Sequence, residues 1–393
     1  MPVLLALLLC VSVALGFNVT CVYPEKWLDK PYYDERQDLY LRGNAAGLSP
    51  DVGTLMWKVA DTADTWTVSL PGDLSPEGMS VDIYIGDGYR HRGYPLPVDA
   101  WVQEAVVYPF WNTVVGEWYY SYNTLHSPQL ENSRYYSVYL SPLFLENPLA
   151  VSKHLLVMHD GNDLFSPDPT VSHHTCPDDS CALFGSWDLD SDIDNAIVNG
   201  RIYSDLIVLG LFSTDEREDE YTYSFDVSEG CGGDGDKYLS FISDTVLPNL
   251  DNILGDGLVD APTKDIYLAG SDLGGLISCY GGLDNTASGC DSPSGCHWGG
   301  VGCLSPCFWW DQQDMLTDVI PSNEVNAAMR VFLGYGSEEE DALNVNKAYY
   351  ALLNEGYSTD NVRKEYALWG GHDITTWTTL LDGLLVYFFS DAE

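Results

Sequence analysis

The sequence predicts a small all-β sandwich followed by an α/β domain that is built on a mostly parallel sheet. The chain has 393 residues, a length that suits two domains better than one. Residues 17–100 consist of short alternating apolar runs broken by Gly, Pro and Asp, which is the pattern of short strands joined by turns. In residues 104–393, apolar runs of strand length alternate with amphipathic runs of helix length. This alternation indicates βα units whose helices cover both faces of a sheet.

The N-terminal part, residues 17–100, is expected to be an immunoglobulin-like sandwich. Its candidate strands are short and rich in β-branched and aromatic residues, namely Leu39–Gly43, Thr54–Lys58, Thr65–Pro71 and Val81–Ile85. The stretch from Leu39 to Pro71 resembles immunoglobulin-like modules of the starch-binding type. Its aromatic side chains therefore have two open roles, either carbohydrate binding or filling the core of a small sandwich.

In residues 104–393 the elements are assigned in chain order. An antiparallel pair is predicted first, at Trp118–Asn123 and Tyr135–Leu140. The predicted strands that follow are Leu155–Met158, Leu206–Leu211, Asp265–Ala269, Val301–Leu304, Met329–Leu333 and Tyr366–Trp369. The predicted helices are Asp188–Ile197, Tyr238–Leu250, one that begins at Leu273, and one with Val345, Ala348, Tyr349 and Leu352 on one face that stops at Gly356.

Residues 1–16 have the character of a secretory signal peptide. A leucine-rich apolar run ends in small residues at the usual cleavage spacing, which places the mature start near Phe17. The apolar run is shorter than the roughly 20 residues of a membrane-spanning helix. Asn18 begins an Asn-Val-Thr glycosylation sequon, which is usable only in an exported chain. The sequence therefore predicts a secreted, extracellular glycoprotein.

Nine cysteines remain once Cys10 is removed with the signal peptide. The number is odd, so at least one thiol is unpaired within the monomer. Two pairs lie close together in turn-rich loops, and we expect the disulfides Cys176–Cys181 and Cys290–Cys296. Cys279 is the candidate free thiol, because it falls among the apolar positions of a predicted helix. No paired C-x-x-C spacing is present, which disfavours zinc.

The formal net charge of −42 makes nucleic acid and anionic membrane surfaces poor partners, because like charges repel. No segment after the leader reaches spanning length free of charge, so we expect no membrane insertion. Four alternating aspartates resemble the start of a calcium loop, namely Asp188, Asp190, Asp192 and Asp194. Ile193, however, stands where such a loop needs glycine. Acidic residues at a helix N-terminus are the plainer interpretation, and we expect no metal and no cofactor.

The pentapeptide Gly270-Ser271-Asp272-Leu273-Gly274 has the frame of the G-x-S-x-G nucleophile elbow, with aspartate where serine belongs. A predicted strand precedes it and a predicted helix follows it, which is the context the motif requires. Reading Ser271 as the nucleophile would remove both flanking glycines. An ordinary strand-to-helix turn with Asp272 near the helix start is the alternative.

Two further strand ends carry residues that fit the same chemistry. Glu339 follows the strand Met329–Leu333, and His372 follows the last strand behind two glycines. Because the carboxyl ends of parallel strands meet at one edge of a sheet, these side chains are expected near Asp272. The chain order nucleophile, acid, histidine is that of the α/β-hydrolases.

The chain from about Trp118 to Phe389 resembles the esterase family of α/β-hydrolases that includes esterase D, feruloyl esterases and enterochelin esterases. Four blocks carry the resemblance. Residues 159–165 are similar to the family's HDGQNLF, 217–221 to its RxxEY, 303–310 to its LSPSFWW and 370–373 to its GGHD. The resemblance implies an α/β-hydrolase fold in residues 104–393 and a small-molecule or saccharide-ester ligand.

The resemblance also implies roles for individual residues. His372 would be the general base and Glu339 the acid, with Glu338 and Glu340 as alternatives for the acid. The oxyanion donors would be the backbone N–H of Leu273 and one in the loop of Gly161 and Asn162. The nucleophile position falls on Asp272, where the chain departs from the family.

Aspartate changes the chemistry that the elbow can perform. A carboxylate has a pKa near 4 in its acid form, so it is expelled from a tetrahedral intermediate before an alkoxide is, and ordinary ester hydrolysis through Asp272 is disfavoured. Aspartate does act as a nucleophile at saturated carbon. Three hypotheses follow: a hydrolase that acts through Asp272 or by a water that Asp272 activates, an inactive esterase homologue that binds a ligand, or an acidic matrix protein.

Overall fold

The computed structural model describes residues 17–28, 37–44, 47–60, 62–70, 80–86, 88–97, 104–183, 185–261, 265–284, 298–322 and 324–390. The chain divides into two compact units, Met1–Trp111 with Asn147–Leu149 and Asn112–Glu146 with Ala150–Glu393. The proposed signal peptide, residues 1–16, lies outside the described residues. The strand Glu104–Val107 pairs with Phe17–Val22, so it belongs to the first unit, whereas the sequence analysis placed it in the second.

The first unit contains two small sheets. In one, the strands Trp57–Lys58, Thr65–Leu70, Phe17–Val22 and Glu104–Val107 lie in that order. In the other, Thr54–Leu55, Leu39–Gly43, Ser80–Ile85 and Tyr89–Arg90 lie in order, and Leu96–Pro97 also pairs with Ser80–Ile85. A 3₁₀ turn spans Glu25–Leu28.

One apolar core joins these two sheets, as expected for a sandwich. Every second residue of Thr65–Leu70 is buried, and so is every second residue of Ser80–Ile85, which is the alternation of a half-buried strand. The predicted strand Thr54–Lys58 is two strands, because the chain passes from one sheet to the other at the buried Met56.

The second unit is built on a sheet of eight strands. Their order across the sheet is Glu117–Tyr120, Tyr136–Leu140, Leu206–Leu211, His154–Met158, Ile266–Ser271, Gly300–Leu304, Arg330–Gly336 and Val362–Ala367. The last six are mutually parallel, and Tyr136–Leu140 is antiparallel to both of its neighbours. Every residue of Leu206–Leu211, Ile266–Ser271 and Gly300–Leu304 is buried, as expected for parallel strands covered on both faces.

Helices connect and cover these strands. They are Pro142–Glu146, Leu189–Val198, Arg217–Glu220, Gly235–Phe241, Leu250–Leu254, Leu273–Leu283, Trp310–Asp314, Ile320–Ser322, Ala342–Glu355 and Ile374–Phe389. Short 3₁₀ or π turns span Ser172–His174, Ile242–Val246, Leu247–Asn249 and Met315–Val319. Two short ribbons complete the unit, Leu125–Ser127 with Asn132–Arg134 and Phe225–Asp226 with Cys231–Gly232.

The last strand differs from its prediction. It runs over Val362–Ala367, and the apolar residues Leu368 and Trp369 are 65% and 77% exposed beyond its end. The strand lies at the edge of the sheet, so charged residues are acceptable within it and its pattern is only weakly apolar.

The cysteine predictions have three outcomes. The Cys176–Cys181 disulfide is present. Cys279 is not free, because it is bonded to Cys303 on the adjacent strand, and that prediction was wrong. Local sequence context identified Cys279 as buried but could not identify a partner from another element. Cys290 and Cys296 lie outside the described residues.

Three further sequence expectations concern membrane-spanning helices, the glycosylation sequon and the calcium-like run of aspartates. None of the described helices has the length and apolar character needed to span a membrane. Asn18 lies in the first strand, where its side-chain oxygen accepts a hydrogen bond of 2.7 Å from Ser69 Oγ. Of the calcium-like run, Asp188, Asp190 and Asp192 lie at the start of the helix Leu189–Val198. Asp194 lies in its middle and accepts a hydrogen bond of 2.7 Å from the Tyr139 hydroxyl.

Candidate active site

Asp272 occupies a sharp turn between the buried strand Ile266–Ser271 and the helix Leu273–Leu283. Its backbone has φ 59° and ψ −122°, a conformation that costs energy in a residue with a side chain and is typical of functional turns. Close packing explains the glycines around it. A Cβ on Gly270 would lie 2.8 Å from the carbonyl carbon of Gly274, and one on Gly275 would lie 2.8 Å from the Leu304 oxygen. The turn therefore holds the Asp272 side chain at the carboxyl end of the sheet.

Asp272, His372 and Glu339 form a chain of contacts. His372 Nε2 lies 3.1 Å from Asp272 Oδ1, and His372 Nδ1 lies 3.6 Å from Glu339 Oε2. The other Glu339 oxygen accepts hydrogen bonds of 2.6 Å from both the Ser305 hydroxyl and the Gly336 N–H. Glu339 is buried, whereas the alternatives Glu338 and Glu340 are exposed. The sequence-based residues thus meet in space, with Glu339 in the acid position.

The loop that carries His372 is fixed from two sides. The Glu338 N–H donates to the Gly370 carbonyl at 2.9 Å, and a Cβ on Gly336 would lie only 2.3 Å from that oxygen. The helix Ile374–Phe389 begins directly after the loop, and Trp377 from its first turn lies edge-on to the His372 ring at 5.5 Å. The imidazole is therefore held by the elbow, the acid loop and the last helix together.

Arg217 is a member of the site to which sequence analysis assigned no role. Its Nε and Nη2 atoms donate to the two oxygens of Asp160 at 2.8 and 2.9 Å, and its Nη1 atom reaches Asp272 Oδ2 at 3.2 Å. The R-x-x-E-Y block was the available signal. Its contact with the elbow joins residues 55 positions apart, which no local pattern shows.

Cys307 is the second member that was missed. Its Sγ atom lies 2.8 Å from Asp272 Oδ1, and its thiol is unbonded to any described cysteine and buried. Burial and the adjacent Asp272 carboxylate raise the pKa of Cys307 well above its usual value. The thiol is therefore a hydrogen-bond donor to Asp272 and not a thiolate.

The charges of the site depend on one another. Burial acts to raise the pKa of Asp272, but the hydrogen bond from His372, the charge of Arg217 and the Cys307 thiol outweigh it and hold that pKa well below its usual range. Hydrogen bonds to Asp272 and Glu339 raise the pKa of His372 to about 10 against the opposing effect of burial. At neutral pH the site therefore contains a carboxylate and an imidazolium.

The oxyanion donors do not all lie as predicted. The Leu273 N–H interacts with the Asp272 carboxylate itself and contributes to its lowered pKa. The Gly161 N–H donates to the Leu211 carbonyl at 2.8 Å, so Gly161 cannot serve as an oxyanion donor and that assignment is corrected. Asn162 lines the cavity beside Asp272, and its side-chain oxygen accepts from Ser213 Oγ at 3.1 Å.

Two cavities meet at Asp272 and His372. The larger has a volume of about 750 Å³, and its wall includes the stacked rings of Trp187 and Trp377 as well as Phe212. The smaller has a volume of about 570 Å³ and lies on the side of Cys307 and Glu339. The larger cavity combines an aromatic wall with several charged and polar side chains, as is usual where a small molecule is both enclosed and oriented.

Comparison with known proteins agrees with this geometry at the level of the fold. No protein-family model matches the chain, and no curated protein matches it. A solved ferulic acid esterase aligns with 71% of this chain and 99% of its own length, at 16% sequence identity and a TM-score of 0.50. The fold is that of an α/β-hydrolase.

Other α/β-hydrolases are similar as well. The enterobactin esterase from Shigella flexneri aligns over 89% of this chain and 87% of its own, at 14% identity and a TM-score of 0.47. A feruloyl esterase module from Clostridium thermocellum, complexed with sinapinate, aligns over 71% of this chain and 90% of its own, at 18% identity and a TM-score of 0.47.

Proposed function

We propose that this chain is a hydrolase in which Asp272 attacks a saturated carbon atom of a small substrate, while His372 and Glu339 activate water in a second step. The observation that carries the proposal is the position of Asp272 on the elbow. There its carboxylate faces the larger cavity and contacts His372 Nε2 at 3.1 Å, with Glu339 on the far side of the imidazole.

The carboxylate suits alkyl transfer better than acyl transfer. The lowered pKa of Asp272 keeps it ionised, and an ionised carboxylate is a competent nucleophile at saturated carbon. At an acyl carbon the same carboxylate is the better leaving group, so the intermediate returns to substrate. The aromatic wall formed by Trp187, Phe212 and Trp377 favours a substrate with an aryl or other apolar body.

Because the charges of Asp272 and His372 depend on each other, loss of the Asp272 charge makes His372 a base for the second step. Attack by an Asp272 oxygen forms an aspartyl ester, breaks the bond from carbon to the leaving group, and removes the carboxylate charge. The pKa of His372 then falls, because its largest stabilising partner is neutral, and the imidazolium releases its proton to solvent. Neutral His372 accepts a proton from water as that water attacks the ester carbonyl, and collapse releases the alcohol and restores Asp272.

Isotope labelling tests the proposal directly. Styrene oxide and phenethyl bromide are the probes, and several turnovers in H₂¹⁸O should place ¹⁸O in the carboxylate of the peptide that contains Asp272. His372→Gln should accumulate a covalent adduct on that peptide, because the ester forms but is not hydrolysed. Asp272→Asn should give neither label nor adduct. The matched control Glu338→Gln changes an exposed acid beside Glu339 and should behave as wild type.

The labelling pattern also defines the contrary result. Product formation with solvent ¹⁸O in the product and none in Asp272 would mean that water attacks the substrate directly. In that case Asp272 is not the nucleophile.

A binding protein without turnover is the second candidate, and one observation favours it. The Asp272 carboxylate is already held by His372, Cys307, Arg217 and the Leu273 N–H, so it resembles an internal anionic ligand. Retained affinity for aryl ligands with no turnover of either probe would select this candidate.

We further propose an extracellular location, which rests on the leader and the sequon at Asn18.

A further inference from the structure

Asp163 is an acidic residue of the larger cavity that the mechanism above does not use. It lies in the loop after the strand His154–Met158, and it lines the same cavity as Asp272, partly buried. The Trp187 N–H donates to its backbone oxygen at 2.9 Å, which fixes this part of the loop against the aromatic wall. Asp163 and Asp272 are two of the six aspartates in the wall of this cavity; the others are Asp160, Asp178, Asp215 and Asp373.

The carboxyl groups at this wall differ in their partners. Asp160 is paired with both donors of Arg217, and Asp272 contacts Arg217 and His372. Among the described residues, no Lys, Arg or His forms an ion pair with Asp163. The Asn162 side-chain amide donates a long hydrogen bond of 3.4 Å to Asp163 Oδ1.

Because their surroundings differ, Asp163 and Asp272 have different pKa values. Burial raises the pKa of Asp163 to about 7, and repulsion from Asp160 acts in the same direction, while the backbone at Ala182 and the more distant Arg217 act weakly against it. Tyr120 also faces Asp163 from the edge strands of the sheet. Asp163 in its protonated form and Asp272 in its ionised form equip the cavity for acid catalysis by the first and nucleophilic attack by the second.

We propose that Asp163 donates a proton to the oxygen atom that leaves carbon when Asp272 attacks, and that the substrate class is therefore an epoxide. The inference rests on the proposed function. As Asp272 bonds to the ring carbon, the carbon–oxygen bond of the epoxide breaks and its electron pair goes to the oxygen. That oxygen takes the proton of Asp163. Hydrolysis of the aspartyl ester then gives a diol. The proton that His372 released after alkylation reaches Asp163 through solvent, His372 keeps the proton that it takes from water, and the sum is epoxide plus water to diol.

A halide needs no proton when it leaves, so the two probes separate acid catalysis from every other role of Asp163. Asp163→Asn is nearly isosteric, and it places at this position the residue that the HDGQNLF pattern carries there. We expect kcat/KM for styrene oxide to fall by about 100-fold, a typical contribution of a positioned acid, while phenethyl bromide turnover stays close to wild type. Retained bromide turnover also shows that the variant is folded.

The pH profile gives a second readout that a structural role would not move. Wild-type epoxide opening should fall as pH rises through about 7, because Asp163 loses its proton there, and Asp163→Asn should lack this limb. The matched control is Asp179→Asn, which removes an exposed acid from the neighbouring loop outside the cavity wall.

Each contrary outcome has one meaning. An equal loss on both probes, or no loss on styrene oxide, overturns the acid role of Asp163. Wild-type protein that hydrolyses phenethyl bromide with label in Asp272 but leaves styrene oxide intact overturns the epoxide inference and leaves the proposed function standing. Absence of label in Asp272 with both probes overturns both.

Discussion

The Nε2 atom of His372 lies 3.1 Å from Oδ1 of Asp272, and this one contact sets the charge of both groups. The hydrogen bond to Asp272 is the largest cause of the raised pKa of His372 and the largest cause that lowers the pKa of Asp272. The pKa of His372, and with it the ability of His372 to act as a base, therefore depends on the residue at position 272.

Replacing Asp272 with asparagine should lower the pKa of His372. In wild type that pKa is raised to about 10, and without the carboxylate charge it should move towards the ordinary value of 6.5, with Glu339 keeping it somewhat above. Titration of the His372 ring protons by NMR measures the change. Glu338→Gln is the control and should leave the titration as in wild type. An unchanged His372 pKa in Asp272→Asn would show that Glu339 alone is responsible.

Replacing Asp272 with serine should create esterase activity. Serine is uncharged, so His372 becomes a neutral base, and the Leu273 N–H is released from the carboxylate for an oxyanion. Wild type should be near background on aryl acetates and methyl ferulate, and Asp272→Ser should exceed it. Adding His372→Ala should then reduce the rate by about 100-fold, as expected for loss of a general base. Rapid ester hydrolysis by wild type that persists in Asp272→Ala would show that the elbow residue is not the nucleophile.

Asp272→Asn should also make Cys307 more reactive towards iodoacetamide. The carboxylate raises the pKa of Cys307, so its removal increases the thiolate fraction at pH 8 and the alkylation rate several-fold. Peptide mapping resolves Cys307 from Cys231, whose surroundings do not include Asp272 and which therefore serves as the internal control. Equal rates for Cys307 in the two proteins would mean that burial alone protects it.

Mass mapping of the unreduced protein should find Cys176 bonded to Cys181 and Cys279 bonded to Cys303, with Cys21 and Cys307 unbonded. Cys279→Ser should lower the free energy of unfolding by about 3 kcal/mol, because the bond closes a loop of 24 residues in the unfolded chain. Urea unfolding with and without reductant measures this loss. A reductant effect that persists undiminished in Cys279→Ser would assign the stabilisation to another bond.

The parts of the fold that sequence analysis predicted are those with local patterns. The strand Leu206–Leu211 was predicted with its observed bounds, since a wholly buried parallel strand is a continuous apolar run between turns. The edge strand Val362–Ala367 was misplaced towards Leu368 and Trp369, because an edge strand carries charges and the exposed apolar residues lie beyond it. The final helix Ile374–Phe389 went unassigned, although Trp377 in its first turn lies against the His372 ring.

The residues of the site also fall into those that sequence analysis predicted and those that it missed. Asp272, Glu339 and His372 follow strand ends, so topology alone predicts that they meet. Arg217 and Cys307 reach Asp272 through side-chain geometry across different loops, and Cys303 reaches Cys279 between a strand and a helix. These contacts depend on the positions of whole elements, which a motif does not encode.

Asp272 and His372 belong to the walls of both cavities, so the contact between them is also a partition. In the proposed mechanism, esterification of the carboxylate and loss of the imidazole charge would remove the attraction across this partition when water is needed. The smaller cavity, whose wall includes Cys307 and Glu339, would then offer that water a separate approach. Substrate and water would approach Asp272 from opposite chambers, and neither would have to displace the other.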